Sequence, residues 1–175
     1  GAESLLTFGI MKSWEALMTL AVEDKLRPET SCRPFAVDRT GLVLGEGAGA
    51  LVLEEWERAH ARGAEILAEV VGYGLCNDGV HMSRPDAGGQ ARAMRAAIAE
   101  AEKHGLAAHD VAYINAHGTG TKAGDKTETD AIKMAFGDHA RHLAVSSTKA
   151  LHGHTMGAAG AVEFVASILA LKHAT

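Results

Sequence analysis

His117, His154, Lys149 and Glu163 are the residues whose types and spacing suit them best to chemistry. His117 follows the short apolar run Val111-Ala112-Tyr113-Ile114-Asn115 and enters Gly118-Thr119-Gly120-Thr121. His154 closes Ser146-Ser147-Thr148-Lys149-Ala150-Leu151-His152-Gly153-His154, which follows a second apolar run, Leu143 to Val145. Each histidine is therefore expected on a loop at the exit of a strand, where a rigid scaffold presents functional side chains. Small residues, Gly157-Ala158-Ala159-Gly160-Ala161, then lead into the apolar stretch Val162 to Leu171, which reads as a helix. A helix beginning near Thr155 or Met156 sets the His154 imidazole at its positive end. That end disfavours imidazolium, so the ring is expected to stay neutral and to act as a hydrogen-bond donor. Lys149 and Glu163 add a cation and an anion able to orient each other and the ring.

Elements must position these groups. Trp14, Leu17, Met18, Ala21 and Val22 recur at helical spacing, so Gly1 to Leu26 is expected to be mostly helical, with the Trp and Met in core packing. After a break at Arg27-Pro28-Glu29-Thr30-Ser31, Leu42 to Leu53 reads as a buried strand. Its Gly45-Glu46-Gly47-Ala48-Gly49 is no dinucleotide loop: the G-x-G-x-x-G spacing fails at Ala50, and the glycines precede the strand. A short helix from Glu54 to Gly63, a strand from Ile66 to Leu75 and a turn-rich loop from Cys76 to Pro85 follow. Gln90 to His104 reads as an amphipathic helix stopped at Gly105, and Asp125-x-x-Glu128 as a capping box opening a helix to Phe136.

Other chemistries fit less well. Cys76 with His81 as base would need a helix N-terminus or a cation to lower the thiol pKa. Cys76 ends a strand and is followed by turn residues; Cys32, beside Arg33-Pro34, is no better placed. A zinc site on His152, His154 and His117 lacks an evident further ligand and supporting shell, so no metal is expected. The net charge of -5 leaves no electrostatic footprint for nucleic acid. No apolar run approaches the roughly 20 residues of a membrane span. Two cysteines in 175 residues make no disulfide framework and point to a reducing cytoplasm. That length suits one domain or two small halves.

The ordered set Asn115-Ala116-His117-Gly118-Thr119-Gly120-Thr121, Gly124-Asp125, Ser146-Ser147-Thr148-Lys149 and Gly153-His154-x-x-Gly157-Ala158-Ala159-Gly160-Ala161-x-Glu163 resembles the β-ketoacyl-[acyl-carrier-protein] synthases, the elongating type above all. Arg33-Pro34-Phe35, Asp38-Arg39-x-Gly41, Gly45 to Gly49 and Leu51-Val52-Leu53-Glu54-Glu55 extend the resemblance over nearly the whole chain. It implies an α/β fold, the thiolase-like layered αβαβα arrangement, here incomplete. Residues 1–80 would close its first half and residues 81–175 open its second. The cysteine nucleophile of such enzymes would precede Gly1 and further strands would follow Thr175, so a central piece of a longer enzyme, inactive and poorly folded alone, is expected.

The resemblance also implies the roles. His117 and His154 would donate to the malonyl thioester oxygen, with Lys149 tuning them and Asp125 and Glu163 in support. Thr119 and Thr121 would face the phosphopantetheine arm of acyl carrier protein, the partner expected, with no separate cofactor. The loop holding Asp78 and His81 would gate the acyl pocket, and the intact enzyme would be a homodimer. Carrier docking often uses a basic residue where Glu15 stands here, with Lys12, Lys25 and Arg27 nearby. Two alternatives are a non-catalytic partner resembling a chain-length factor, against which the retained His117, Lys149 and His154 count, and a fragment that merely folds and associates.

Overall fold

Two strands, β3 (Tyr113–Asn115) and β4 (Ala144–Ser146), run parallel in the register Tyr113↔Ala144, Ile114↔Val145 and Asn115↔Ser146. They belong to a computed structural model that describes residues 1–81 and 84–173. The crossover between them is α4 (Lys122–Phe136), followed by a short 3-10 turn, Gly137–Arg141. α3 (Ala87–Glu102) packs against α4. This is the parallel-strand and helix unit expected for alternating strand and helix patterns. The fourth strand begins one residue later than its apolar run, at Ala144.

Local chemistry explains the helix starts. Thr121 caps α4, its hydroxyl accepting from the Gly124 N–H at 3.2 Å. The expected capping box at Asp125 and Glu128 is therefore not one: both residues lie inside α4 and are buried, and their carboxylates accept from the loop that precedes the helix. α3 starts three residues ahead of Gln90 because the Asp86 carboxylate caps it, accepting from Gly89 N–H at 2.7 Å.

The expected helix over the first 26 residues is much shorter. β1 (Ala2–Glu3) precedes α1 (Phe8–Ala16), and Met18, at φ 54°, turns the chain out of helix. Leu42 to Leu53 is likewise not one strand but a series of brief pairings. Leu42 bridges Leu20, Leu44 bridges His154, and β2 (Gly47–Ala48) pairs antiparallel with β1. The small core sits here: buried Leu5, Leu42 and Leu44, with Trp14, Leu20 and Met156 packed against them. Leu44 thus ties the core directly to the backbone of His154.

The stretch expected as a strand from Ile66 to Leu75 is extended but has no strand partner among the described residues. Leu67, Val70, Tyr73 and Leu75 are exposed, at 51–80% of their surface. Instead the stretch lies along α3, and its glycines make that possible. A Cβ on Gly72 would come within 2.2 Å of the Ala97 carbonyl oxygen, and one on Gly74 within 2.0 Å of that of Ala93. α2 (Trp56–Ala61) stands just before it, capped by Glu55.

α6 (Ala159–His173) is apolar, and with the turn before it Met156–His173 forms 18 residues of mean hydropathy 1.2, long and apolar enough by composition alone to cross a membrane. Two ion pairs tie it to this chain instead: Glu163 bonds Lys149, and Lys172 bonds Glu65. The glycine contacts yield a direct test. Gly74→Ala should destabilise the chain by about 1–3 kcal/mol through overpacking on α3. Gly160→Ala, where a Cβ meets nothing within 4 Å, should be neutral or stabilise by about 0.5–1 kcal/mol. Urea denaturation of the two variants reads the contrast, and equal effects would remove the close-packing account.

Candidate active site

β3 and β4 end side by side, and the Ala116 N–H extends the ladder to the Ser146 carbonyl at 2.8 Å. Beyond that point the two chains diverge into the segments bearing His117 and Lys149, at the carboxyl ends of parallel strands where α/β folds place their sites. The loop after β3 is pinned by two carboxylates from α4. Glu128 accepts from the His117 and Gly118 N–H groups at 2.7 and 2.8 Å. Asp125 Oδ1 accepts from Thr119 and Gly120 N–H, both at 3.0 Å, and its Oδ2 accepts from Phe35 N–H at 2.7 Å. Arg39 Nε stands 3.5 Å from the same Oδ2.

Glycine is required at one point of this loop above all. Gly118 has φ 30°, and a Cβ there would lie 2.7 Å from both the Phe35 ring and the Ser147 Cβ. The Ser147 hydroxyl closes the contact by donating to the Gly118 carbonyl at 2.7 Å.

Lys149, fully buried, starts the one-turn helix α5 (Lys149–His152). Its ammonium donates to the His117 carbonyl at 2.6 Å and to the Glu163 carboxylate from α6. His154 follows α5, held on both sides by the core strand: its N–H donates to Val43 at 2.7 Å and its carbonyl accepts from Gly45 at 3.0 Å. The imidazoles of His117 and His154 meet edge to face, with ring centres 5.1 Å apart and planes at 82°. Asn115 adds a brace, donating to the Glu163 carbonyl at 3.2 Å.

The protonation of the pair follows from its partners. Met156 N–H donates to His154 Nδ1 at 3.1 Å, so Nδ1 is an acceptor and the proton of the neutral ring sits on Nε2. Burial, then His117, Lys149 and His152, push the His154 pKa down to about 4. The His117 ring keeps an open side to solvent, yet the surrounding protein atoms and then Lys149 also lower its pKa, outweighing Glu128, Glu163 and Asp125. Both rings are neutral at pH 7. Two neutral N–H donors on one site suit the stabilisation of a developing oxyanion.

The other predicted residues take different places. Thr119 and Thr121 face each other, hydroxyls 3.1 Å apart, and the Thr121 hydroxyl is also the α4 cap. The Asp78 carboxylate accepts from Val80 and Asp86 N–H at 3.0 and 2.9 Å, tying the loop to the start of α3. His81 is exposed on that loop, and the next two residues, Met82 and Ser83, lie outside the described residues. Cys76 does have a cation, which its sequence neighbours did not disclose: Arg92 Nε of α3 lies 3.3 Å from its sulfur. Cys32 donates instead to the Lys149 carbonyl at 3.0 Å, and burial raises its thiol pKa. Among the described residues no group of three or more His, Cys, Asp or Glu is arranged to hold a metal.

Glu128 is the functional residue that sequence reasoning assigned only to a cap. Its signal was present in Asp125-x-x-Glu128, a spacing that puts both carboxylates on one helix face. The Lys149–Glu163 pair generates a stability prediction. Glu163→Gln should leave a buried ammonium without its counter-charge and cost about 3–5 kcal/mol, whereas Lys149→Met combined with Glu163→Leu should recover most of the loss. Denaturant midpoints of the two variants provide the check; equal stability would show that the pair is not desolvated as described.

Comparison with known proteins shows the family and the fold. The family model for the β-ketoacyl synthase N-terminal domain matches residues 1–59, and that for its C-terminal domain residues 67–175. Nodulation protein E of Rhizobium leguminosarum bv. trifolii is 52% identical over 172 residues, covering 98% of this chain and 40% of that protein. 3-Oxoacyl-[acyl-carrier-protein] synthase 2 of Staphylococcus aureus is 47% identical over 174 residues, 98% of this chain and 42% of that one. Among solved structures, a β-ketoacyl synthase from Burkholderia phymatum STM815 superposes with a TM-score of 0.89 at 44% identity, over 99% of this chain and 40% of that one. A type II polyketide ketosynthase in complex with its acyl-carrier protein, bound to the hexaketide, gives 0.91 at 36% identity, over 97% and 41%. The chain spans about 40% of the length of these relatives, and the fold is the corresponding part of their thiolase-like α/β fold. With family models covering most of its length, this chain belongs to the β-ketoacyl synthase family.

Proposed function

We propose that this chain supplies the decarboxylating half of the site in a β-ketoacyl-[acyl-carrier-protein] synthase, an acyltransferase of fatty-acid or polyketide synthesis. In the complete enzyme a cysteine thiolate takes the acyl group. A malonyl thioester then loses CO2: its carbon–carbon bond breaks, and the electron pair passes into an enolate whose negative charge gathers on the thioester oxygen. The enolate carbon attacks the acyl thioester, and the cysteine thiolate leaves.

His117 and His154 are the donors to that oxygen, His154 through Nε2–H. The single observation that carries the reading is the Met156 N–H on His154 Nδ1, which fixes the proton on the opposite nitrogen. A donor pre-aimed at such a charge contributes about 10²–10³-fold in rate, the scale seen when one oxyanion-hole donor is removed. Imidazolium would serve the oxygen too, but buried beside Lys149 it would be lost at pH 7. Burial, with Lys149 adding to it, keeps both rings neutral, and Lys149 also fixes the backbone at His117. Asp125, Glu128 and Glu163 hold that arrangement, and no metal takes part.

The substrate is carried on the phosphopantetheine of acyl carrier protein. The polyketide ketosynthase solved with its acyl-carrier protein supports this partner. In this reading the loop of Thr119 and Thr121 faces the arm, and the Thr121 hydroxyl also caps α4. The complete enzyme is a homodimer in this reading, and the loop of Asp78 and His81 closes over the acyl pocket.

His154→Ala in the complete synthase tests the assignment. Malonyl decarboxylation and condensation should fall at least about 10²-fold, while transfer of a labelled acyl group to the cysteine persists, since His154 is a donor and not the base for the thiol. Equal loss of acyl transfer would sink it.

A further inference from the structure

His152 stands between Lys149 and His154 and has no part in the condensation just described. Both of its ring nitrogens are nevertheless engaged. Nδ1 lies 2.8 Å from the Gly153 carbonyl oxygen and Nε2 lies 3.1 Å from the Thr148 hydroxyl. A carbonyl only accepts, so Nδ1 carries a proton, and in the neutral ring Nε2 accepts from the hydroxyl. Thr148 is the N-cap of α5 and Gly153 its C-cap, so the ring clasps the two ends of the turn.

That turn needs a clasp. Four residues are far too few to hold a helix by their own hydrogen bonds. The turn also has to serve two masters: Lys149 at its start grips His117 and Glu163, and His154 emerges at its end. The junction is Gly153, at φ 72° and ψ -173°, a conformation open to glycine and strained for other residues. The neighbouring strand leaves the junction little room. A Cβ on Gly45 would come 2.2 Å from the His152 carbonyl oxygen, and one on Gly153 would come 3.0 Å from that of Val43. Rotation of the Gly153 peptide would swing the His154 Cα and with it the direction of Nε2.

We propose that His152 is a positioning residue for His154: by clasping Thr148 to the Gly153 carbonyl it fixes the peptide that aims the His154 donor. The inference rests on the donor-pair reading of His117 and His154. Burial lowers the His154 pKa most, and its titrating and charged neighbours are His117, Lys149 and His152. Cys32 and Glu29 share a groove of about 240 Å³ with His152 on its other side.

The test uses the complete synthase with His152→Leu, which removes both bonds, and His152→Asn, which keeps a donor near Nδ1. For His152→Leu, kcat for malonyl decarboxylation should fall about ten- to a hundredfold, with KM and acyl loading unchanged. His152→Asn should recover most of kcat, and it alone decides the matter if the leucine variant does not fold. An asparagine variant as impaired as the leucine variant, or a kcat that falls only in step with acyl loading and melting temperature, would overturn the clasp. If the wild type loads acyl groups but decarboxylates nothing, the donor-pair reading has failed. The clasp is then judged by long-range 1H–15N spectra, in which a neutral His152 ring must carry its proton on Nδ1 with an acceptor-type Nε2; a proton on Nε2 overturns it.

Discussion

Four consecutive backbone N–H groups, from His117 to Gly120, end on two carboxylates of α4, and the site depends on that grip. Left unpaired in this buried loop, each amide would cost about 1–3 kcal/mol. Paired to ionised oxygens, they instead form bonds roughly twice as strong as neutral ones. The acids so introduced tend to protonate the neighbouring histidines, which would undo neutral donors. Burial and Lys149 decide the balance the other way, since the pKa values of both rings are lowered. Lys149 is in turn tolerable at full burial only because the Glu163 carboxylate and the His117 carbonyl receive its ammonium. The network is closed: each charge is there because of another.

Strain is spent at two of its joints. Phe35 and Met156 adopt φ 63° and 44°, a region costly for residues with side chains. Each points an N–H inward as a result, Phe35 to Asp125 and Met156 to His154 Nδ1. A strain of about 1–3 kcal/mol at each is offset by a charge-assisted bond in the first case and by the packing of Met156 on the Leu5, Leu42 and Leu44 core in the second. The core is small, and it lies directly beneath the strand that holds His154.

The sequence made α2, α3, α4, α6 and the two histidine loops legible, because helical periodicity and the apolar runs before His117 and His154 are local signals. It was blind where structure depends on a distant partner. Asp125-x-x-Glu128 fits a cap and an inward helix face equally well by spacing, and only the position of the loop from His117 to Gly120 separates them. Leu42 to Leu53 and Ile66 to Leu75 have strand composition, but a strand is defined by its neighbour. Leu67, Val70, Tyr73 and Leu75 remain open to solvent in this chain. Arg92 meets Cys76 across 16 positions, and His152 clasps its own turn, neither of which leaves a pattern in residue order.

The central claim is that two neutral imidazoles, with the His154 proton on Nε2, form the donor pair. Long-range 1H–15N correlation spectra of histidine-labelled complete synthase at pH 7 measure this directly. The account predicts that both rings are neutral, that His154 shows an acceptor-type Nδ1 and a protonated Nε2, and that it titrates near pH 4. A His154 that is imidazolium at pH 7, or that carries its proton on Nδ1, would contradict it.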